Sequence, residues 1–183
     1  HGRDPDRVTL NTIAYPVAGA TRAEAEDKMA LIESLYREVD GLSLLSEALN
    51  FDFARKGLDE PFTTDELASM SGMQAMRDRV IQASGKPAPT VRDFLEITRR
   101  GRPREAVVGG PREVADRLEQ WFVERACDGF VLGGTHIPGT YEDFVRLVVP
   151  ELQRRGLFHT DYEGATLREN LGLPRPRPGA WRR

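Results

Sequence analysis

Between Val107 and Phe158 the chain reads VVGGPREVADRLEQWFVERACDGFVL and then, after a polar loop, YEDFVRLVVPELQRRGLF. A short β-branched run ends in a glycine turn that opens an amphipathic helix, and a second apolar run and helix follow. Two consecutive strand–helix units belong to a parallel α/β fold, and few other architectures accommodate them. Gly109-Gly110 supplies the turn and Pro111 suits the first helical position, where its missing N–H costs nothing. Val114, Leu118, Trp121 and Phe122 form the expected inward stripe. Thr140, with Asp143 three residues on, reads as the cap of the last long helix, whose buried face is Phe144, Leu147, Val148 and Leu152. Pro150 lies inside that helix and should kink it or loosen a turn.

A third unit opens the chain. VTLNTIAYPV, from Val8 to Val17, reads as one strand, Ala18-Gly19-Ala20 as a turn, and Thr21 with Glu24 as the capping signature of a helix from Thr21 to Val39. The next stretch, 40–104, shows no β-alternation. It carries short helical patterns at Ser43–Leu49, Asp65–Ser69, Met73–Ala83 and Val91–Arg99, with Thr64 and Thr90 as N-caps. A helical insertion between two strands accounts for it, and long excursions of this kind often serve as lids or substrate-binding segments. From Gly156 an irregular strap is expected, with Leu157, Phe158, Tyr162, Leu167 and Leu171 docking and Thr166 capping a short turn. The proline- and arginine-rich residues 174–183 cannot offset the entropy of ordering and read as a disordered tail.

Composition narrows the function classes. A net charge of −3 gives no reason to expect nucleic acid or acidic lipid as a partner. No apolar run approaches the roughly 18 residues of a membrane span. The single cysteine, Cys127, precludes an internal disulfide and fits a reducing cytoplasm. The chain starts HGRDPDR without an initiator methionine, which suits an excised or truncated product.

In a closed (β/α)8 barrel the reacting groups sit at the carboxyl ends of the strands. Those positions are Tyr15 to Val17, Gly109-Gly110 and Gly133 to Ile137. Tyr15, Gly109, Gly110, Thr135 and His136 are therefore the candidates for the substrate mouth, flanked by the insertion and by the loop 133–139. His136 can touch a ligand or simply be solvated. Gly109-Gly110 leads into a helix that could receive a phosphate, or serves only as a tight turn. Cys127 precedes its strand and should be a buried apolar thiol, and His159 a surface residue of the tail. No metal-ligand spacing is present. These residues alone name no reaction.

The stretches HGRDPDRV, TRAEAEDK, VVGGPREVADRLEQWF, DGFVL, EDFVRLVVPELQRRGLF and YEGATLRENLGLP resemble the flavin-dependent two-component monooxygenases related to nitrilotriacetate and dibenzothiophene-sulfone monooxygenase, within the bacterial-luciferase-like barrels. The resemblance runs from end to end and is weaker between Asp40 and Arg104. Gly110 stands where threonine or serine is expected, and GGTHIPGT replaces a more apolar segment. The resemblance implies the last three βα units of a TIM-type barrel, with the helical insertion, in an incomplete barrel. It implies reduced FMN supplied by a separate NAD(P)H:flavin reductase, dioxygen and a small organic substrate as partners, and it is compatible with homo-oligomers. Flavin contacts in such enzymes come largely from the first five strands, so no cofactor-binding or catalytic residue is carried over. Two readings follow: a carboxyl-terminal fragment of a monooxygenase, or a catalytically inert chain that acts only as an interaction or assembly module.

Overall fold

The computed structural model describes residues 8–99 and 105–179. Its elements are β1 (Asn11–Ala14), β2 (Pro16–Ala18), α1 (Arg22–Ser34), α2 (Glu38–Leu49), a 3-10 turn (Phe53–Arg55), α3 (Thr64–Ser69), α4 (Gln74–Ser84), α5 (Val91–Thr98), β3 (Val107–Gly109), α6 (Pro111–Val123), β4 (Gly129–Leu132), α7 (Gly139–Asp143), α8 (Val149–Arg154) and α9 (Leu167–Asn170). The four strands pair in parallel: β1 with β4 and β2 with β3. The chain is an α/β protein with small parallel sheets.

The expected strand Val8–Val17 is split at Tyr15 into β1 and β2. The carbonyl of Ala14 accepts from Gly133 N at 2.8 Å, and the carbonyl of Tyr15 accepts from Val107 N at 2.9 Å. Successive carbonyls of an extended chain point to opposite sides, so the first strand is flanked on both edges, by β4 and by β3. An arc of a sequentially wound barrel would place Val107–Gly109 in the middle. The observed order departs from it, because the first strand offers an edge of unpaired N–H and C=O groups and Gly129–Leu132 takes it. Ala14, Phe130 and Leu132 pack into a core with Val114, Ala115, Leu118, Phe144 and Val148. The other face stays open: the cross-strand partners Ile13 and Val131 are 54% and 53% exposed.

Thr21 caps α1, its Oγ1 accepting from Glu24 N at 3.2 Å. The helix stops at Ser34, short of the expected Val39. The Tyr36 ring lies over Gly41, where a Cβ would come 2.1 Å from the hydroxyl oxygen, and the chain turns there into α2. Helices α2 to α5 match the helical patterns read in 40–104, although Thr63, not Thr64, caps α3 through a capping box with Glu66. They enclose a second core of Leu45, Leu49, Phe53, Phe62, Val80 and Phe94. Phe51, Phe53, Phe62 and Phe94 meet edge-on with centroids 5.2 to 5.6 Å apart, a geometry that suits the ring quadrupoles.

Proline 150 acts one turn upstream of itself. Without an N–H it cannot bond the carbonyl of Arg146, and Phe144–Val148 widens into a π-helical turn in which Val149 N–H reaches Phe144 O. Two expectations need correction. Phe122 is 49% exposed and is not part of the inward stripe. Within the strap only Leu157 packs against the core, while Phe158, Tyr162, Leu167 and Leu171 remain exposed. Thr166 does cap the short helix α9, in a capping box with Glu169. Residues 174–179 carry no helix or strand, and the rest of the expected tail, 180–183, lies outside the described residues.

Candidate functional site

The loop that leaves β4 is built around one hydroxyl. Thr140 is 2% exposed, and its Oγ1 accepts the backbone N–H of Thr135 and of His136, each at 3.0 Å. The expected N-cap role of Thr140 is therefore corrected: Pro138 is the N-cap of α7, and the threonine side chain turns back to close the loop. Thr135 Oγ1 lies 2.8 Å from Thr140 Oγ1, and both hydroxyls stand 3.1 Å from His136 Nδ1. The other edge of the imidazole rests on Gly139, where a Cβ would come 2.6 Å from Nε2.

Tyr15 joins this loop through Gly133, since a Cβ at Gly133 would come 2.3 Å from the Tyr15 ring. Thr135 and His136 thus share one hydrogen-bonded cluster after β4, and Tyr15 lies against the same loop at Gly133. The half-buried Tyr15, the Thr135 hydroxyl and the imidazole are the groups there that can hydrogen-bond a small polar ligand.

Gly109 and Gly110 are committed elsewhere. Gly110 N–H donates to Glu113 Oε2 at 2.8 Å, and Arg22 Nη1 lies 2.8 Å from Glu113 Oε1. The hydrogen bond from Arg22, then that from Gly110, hold the Glu113 carboxyl below the usual range. Its carboxylate sits where a phosphate would meet this amide. The neighbouring hollow of about 560 Å³ is lined by Arg22, Gly110, Glu113 and Arg154. A cavity of about 450 Å³ lined by Leu118, Phe122, Phe130, Phe144 and Leu157 lies on the helix-covered side of β4 and contains none of the candidates.

Among the described residues the insertion meets the carboxyl end of α1, where Arg99 pairs with Glu33. Cys127 is buried as expected. His159 is exposed and stacks between Phe158 and Tyr162. Among the described residues no group of three or more His, Cys, Asp or Glu is placed to hold a metal ion, and no helix is long and apolar enough to cross a membrane. The residue that sequence reasoning missed is Thr140 in its loop-closing role. The only local signal was a threonine on each side of the turn in THIPGT.

No protein-family model matches the chain. It is 34% identical over 178 residues to nitrilotriacetate monooxygenase component A of Aminobacter aminovorans, covering 97% of this chain and 39% of that protein. It is also 34% identical to dibenzothiophene-sulfone monooxygenase of Rhodococcus erythropolis, covering 96% of this chain and 39% of that one. Among solved structures it superposes on a riboflavin lyase, crystallised with modified FMN and riboflavin, with a TM-score of 0.69 and 27% identity, over 93% of this chain and 36% of that chain. The chain thus spans about two fifths of the length of these curated relatives.

Proposed function

Because the chain belongs to the family of the nitrilotriacetate and dibenzothiophene-sulfone monooxygenases, we propose that it is the carboxyl-terminal portion of a flavin-dependent monooxygenase. In this reading the complete protein takes reduced FMN from a separate NAD(P)H:flavin reductase and uses dioxygen to oxygenate a small organic substrate in the cytoplasm. The observation that carries it is similarity over 97% of the chain to a protein of which the chain spans 39%.

The described residues do not make a flavin site. The backbone amide best placed for a phosphate, Gly110 N–H, is taken by Glu113. We therefore assign no step to the flavin through this chain. When bound in the complete protein, FMN supplies the activation of dioxygen. This chain's share is to border the substrate: Tyr15, Thr135 and His136 orient it by hydrogen bonds. In the complete barrel the first strand, Val107–Gly109 and Gly129–Leu132 would be its last three strands in sequential order. Gly129–Leu132 would then leave the edge of β1 to a preceding strand and pair with β3.

The test is oxygen incorporation from labelled dioxygen into candidate substrates by the complete protein with a flavin reductase. FMN- and substrate-dependent incorporation is expected; turnover without FMN would defeat the reading. A second reading, a non-catalytic assembly module whose partner is a second copy of this chain, is favoured by the open face at Ile13 and Val131, since both faces of a parallel sheet are normally covered. A concentration-independent monomer on size exclusion would count against it.

A further inference from the structure

The hydrogen bonds around Thr140 determine which nitrogen of His136 is free to meet a ligand. A hydroxyl oxygen has two acceptor lobes and one proton. The N–H groups of Thr135 and His136 occupy both lobes of Thr140 Oγ1, so toward its other neighbours this hydroxyl can only donate. If its proton goes to His136 Nδ1, that nitrogen is an acceptor. If it goes instead to Thr135 Oγ1, the proton of Thr135 is released for Nδ1 at 3.1 Å, and Nδ1 again accepts. Only the second arrangement, Thr140 to Thr135 and Thr135 to Nδ1, keeps both hydroxyl protons inside the cluster; a protonated Nδ1 could donate only to Thr135 and would turn the Thr135 proton out of it. Tautomers are assigned from such networks, and this one leaves the neutral ring its proton on Nε2.

We propose that Thr140 is a positioning residue that locks His136 as a neutral Nε2–H donor, aimed at an acceptor oxygen of the substrate, such as a carboxylate, sulfonyl or carbonyl oxygen. The ligand half of this proposal rests on the reading that the 133–139 loop borders the substrate; the tautomer half does not. Gly139 completes the arrangement, because any Cβ there would collide with the ring at Nε2.

The first measurement is the long-range proton–nitrogen NMR spectrum of His136 in the 183-residue chain at about pH 8. Nδ1 should resonate as an unprotonated, pyridine-type nitrogen and Nε2 as a protonated, pyrrole-type one. Thr140→Val should collapse this into an averaged pair of tautomers, and Thr140→Ser should restore it, a distinction that a purely packing role for Thr140 would not produce. A wild-type spectrum with Nδ1 protonated, or averaged as in free imidazole, overturns the proposal without any variant. The second measurement uses the complete enzyme. His136→Leu should raise KM about three- to tenfold, the loss of one neutral hydrogen bond, with kcat little changed. His136→Gln, whose amide nitrogen can replace Nε2–H, should recover most of it. An unchanged KM in the Leu variant overturns the donor role. Absence of FMN-dependent turnover in the unsubstituted enzyme would instead sink the monooxygenase reading, and the NMR result would stand apart from it.

Discussion

Lys28 Nζ lies 2.8 Å from Asp143 Oδ2, joining α1 to the helix that follows the 133–139 loop. The same ammonium donates to the carbonyl of Ala18 at 3.1 Å, at the carboxyl end of β2. Asp143 also accepts from Arg146 at 2.7 Å. Burial opposes its ionisation, but the hydrogen bonds from Lys28 and Arg146 outweigh that and hold its carboxyl below the usual range. The pair thus clamps the first strand's end, α1 and the base of the candidate site to one another.

Lys28→Met should leave the Asp143 carboxylate short of a partner in a half-dry place, at a cost of about 1–3 kcal/mol. Urea unfolding followed by circular dichroism checks it. A smaller loss is expected from the double variant Lys28→Met/Asp143→Leu, because it removes the stranded charge as well.

Acid sensitivity should arise in part at Glu151. Hydrogen bonds from Arg154 and then Arg155 lower its carboxyl to about 2 from 4.5. A depressed folded-state value means that this contribution is present in full above about 4.5 and is lost as pH falls toward 2. Glu151→Gln should therefore flatten the dependence of stability on pH within that window. Unfolding curves at a series of pH values measure it, and an unchanged slope would remove Glu151 from the account.

The insertion has its own core, so damage there should stay there. Phe53 is fully buried and meets three other phenylalanine rings, or ring edges, within 5.5 Å. Phe53→Ala should cost about 3–5 kcal/mol. In hydrogen exchange the amides of α2 to α5 should lose protection while those of α6 and β4 keep theirs. Equal loss in both regions would show the two cores to be one cooperative unit.

The strand order can be tested by cross-linking. Ile13 and Val131 are direct partners in the β1–β4 ladder, within the reach of a disulfide. Ile13→Cys/Val131→Cys, with Cys127→Ser, should oxidise to an internal disulfide in the isolated chain. The complete barrel proposed above separates these residues by one strand and should not form it.

Much of the helical structure was legible because its signals are local. Thr90 and Asp93 announce α5 through a capping box within four residues, and Pro150 announces a disturbed turn wherever its helix packs. The break at Tyr15 was not legible, because it depends on which edges are free when β3 and β4 arrive, and no short window of sequence carries that. Phe122 and Leu171 look like core residues by type but are 49% and 60% exposed; an apolar side chain states a preference, not a partner. In the loop after β4, the position of His136 behind a strand was legible. The role of Thr140 was not, because its partners are backbone amides whose direction only the folded loop sets.

The most direct measurement is an anaerobic titration of reduced FMN into the 183-residue chain and into the complete protein, followed by calorimetry. The account predicts no saturable binding by the isolated chain, whose Gly110 amide is held by Glu113, and stoichiometric binding by the complete protein. Tight one-to-one binding by the isolated chain, or none by the complete protein, would contradict it.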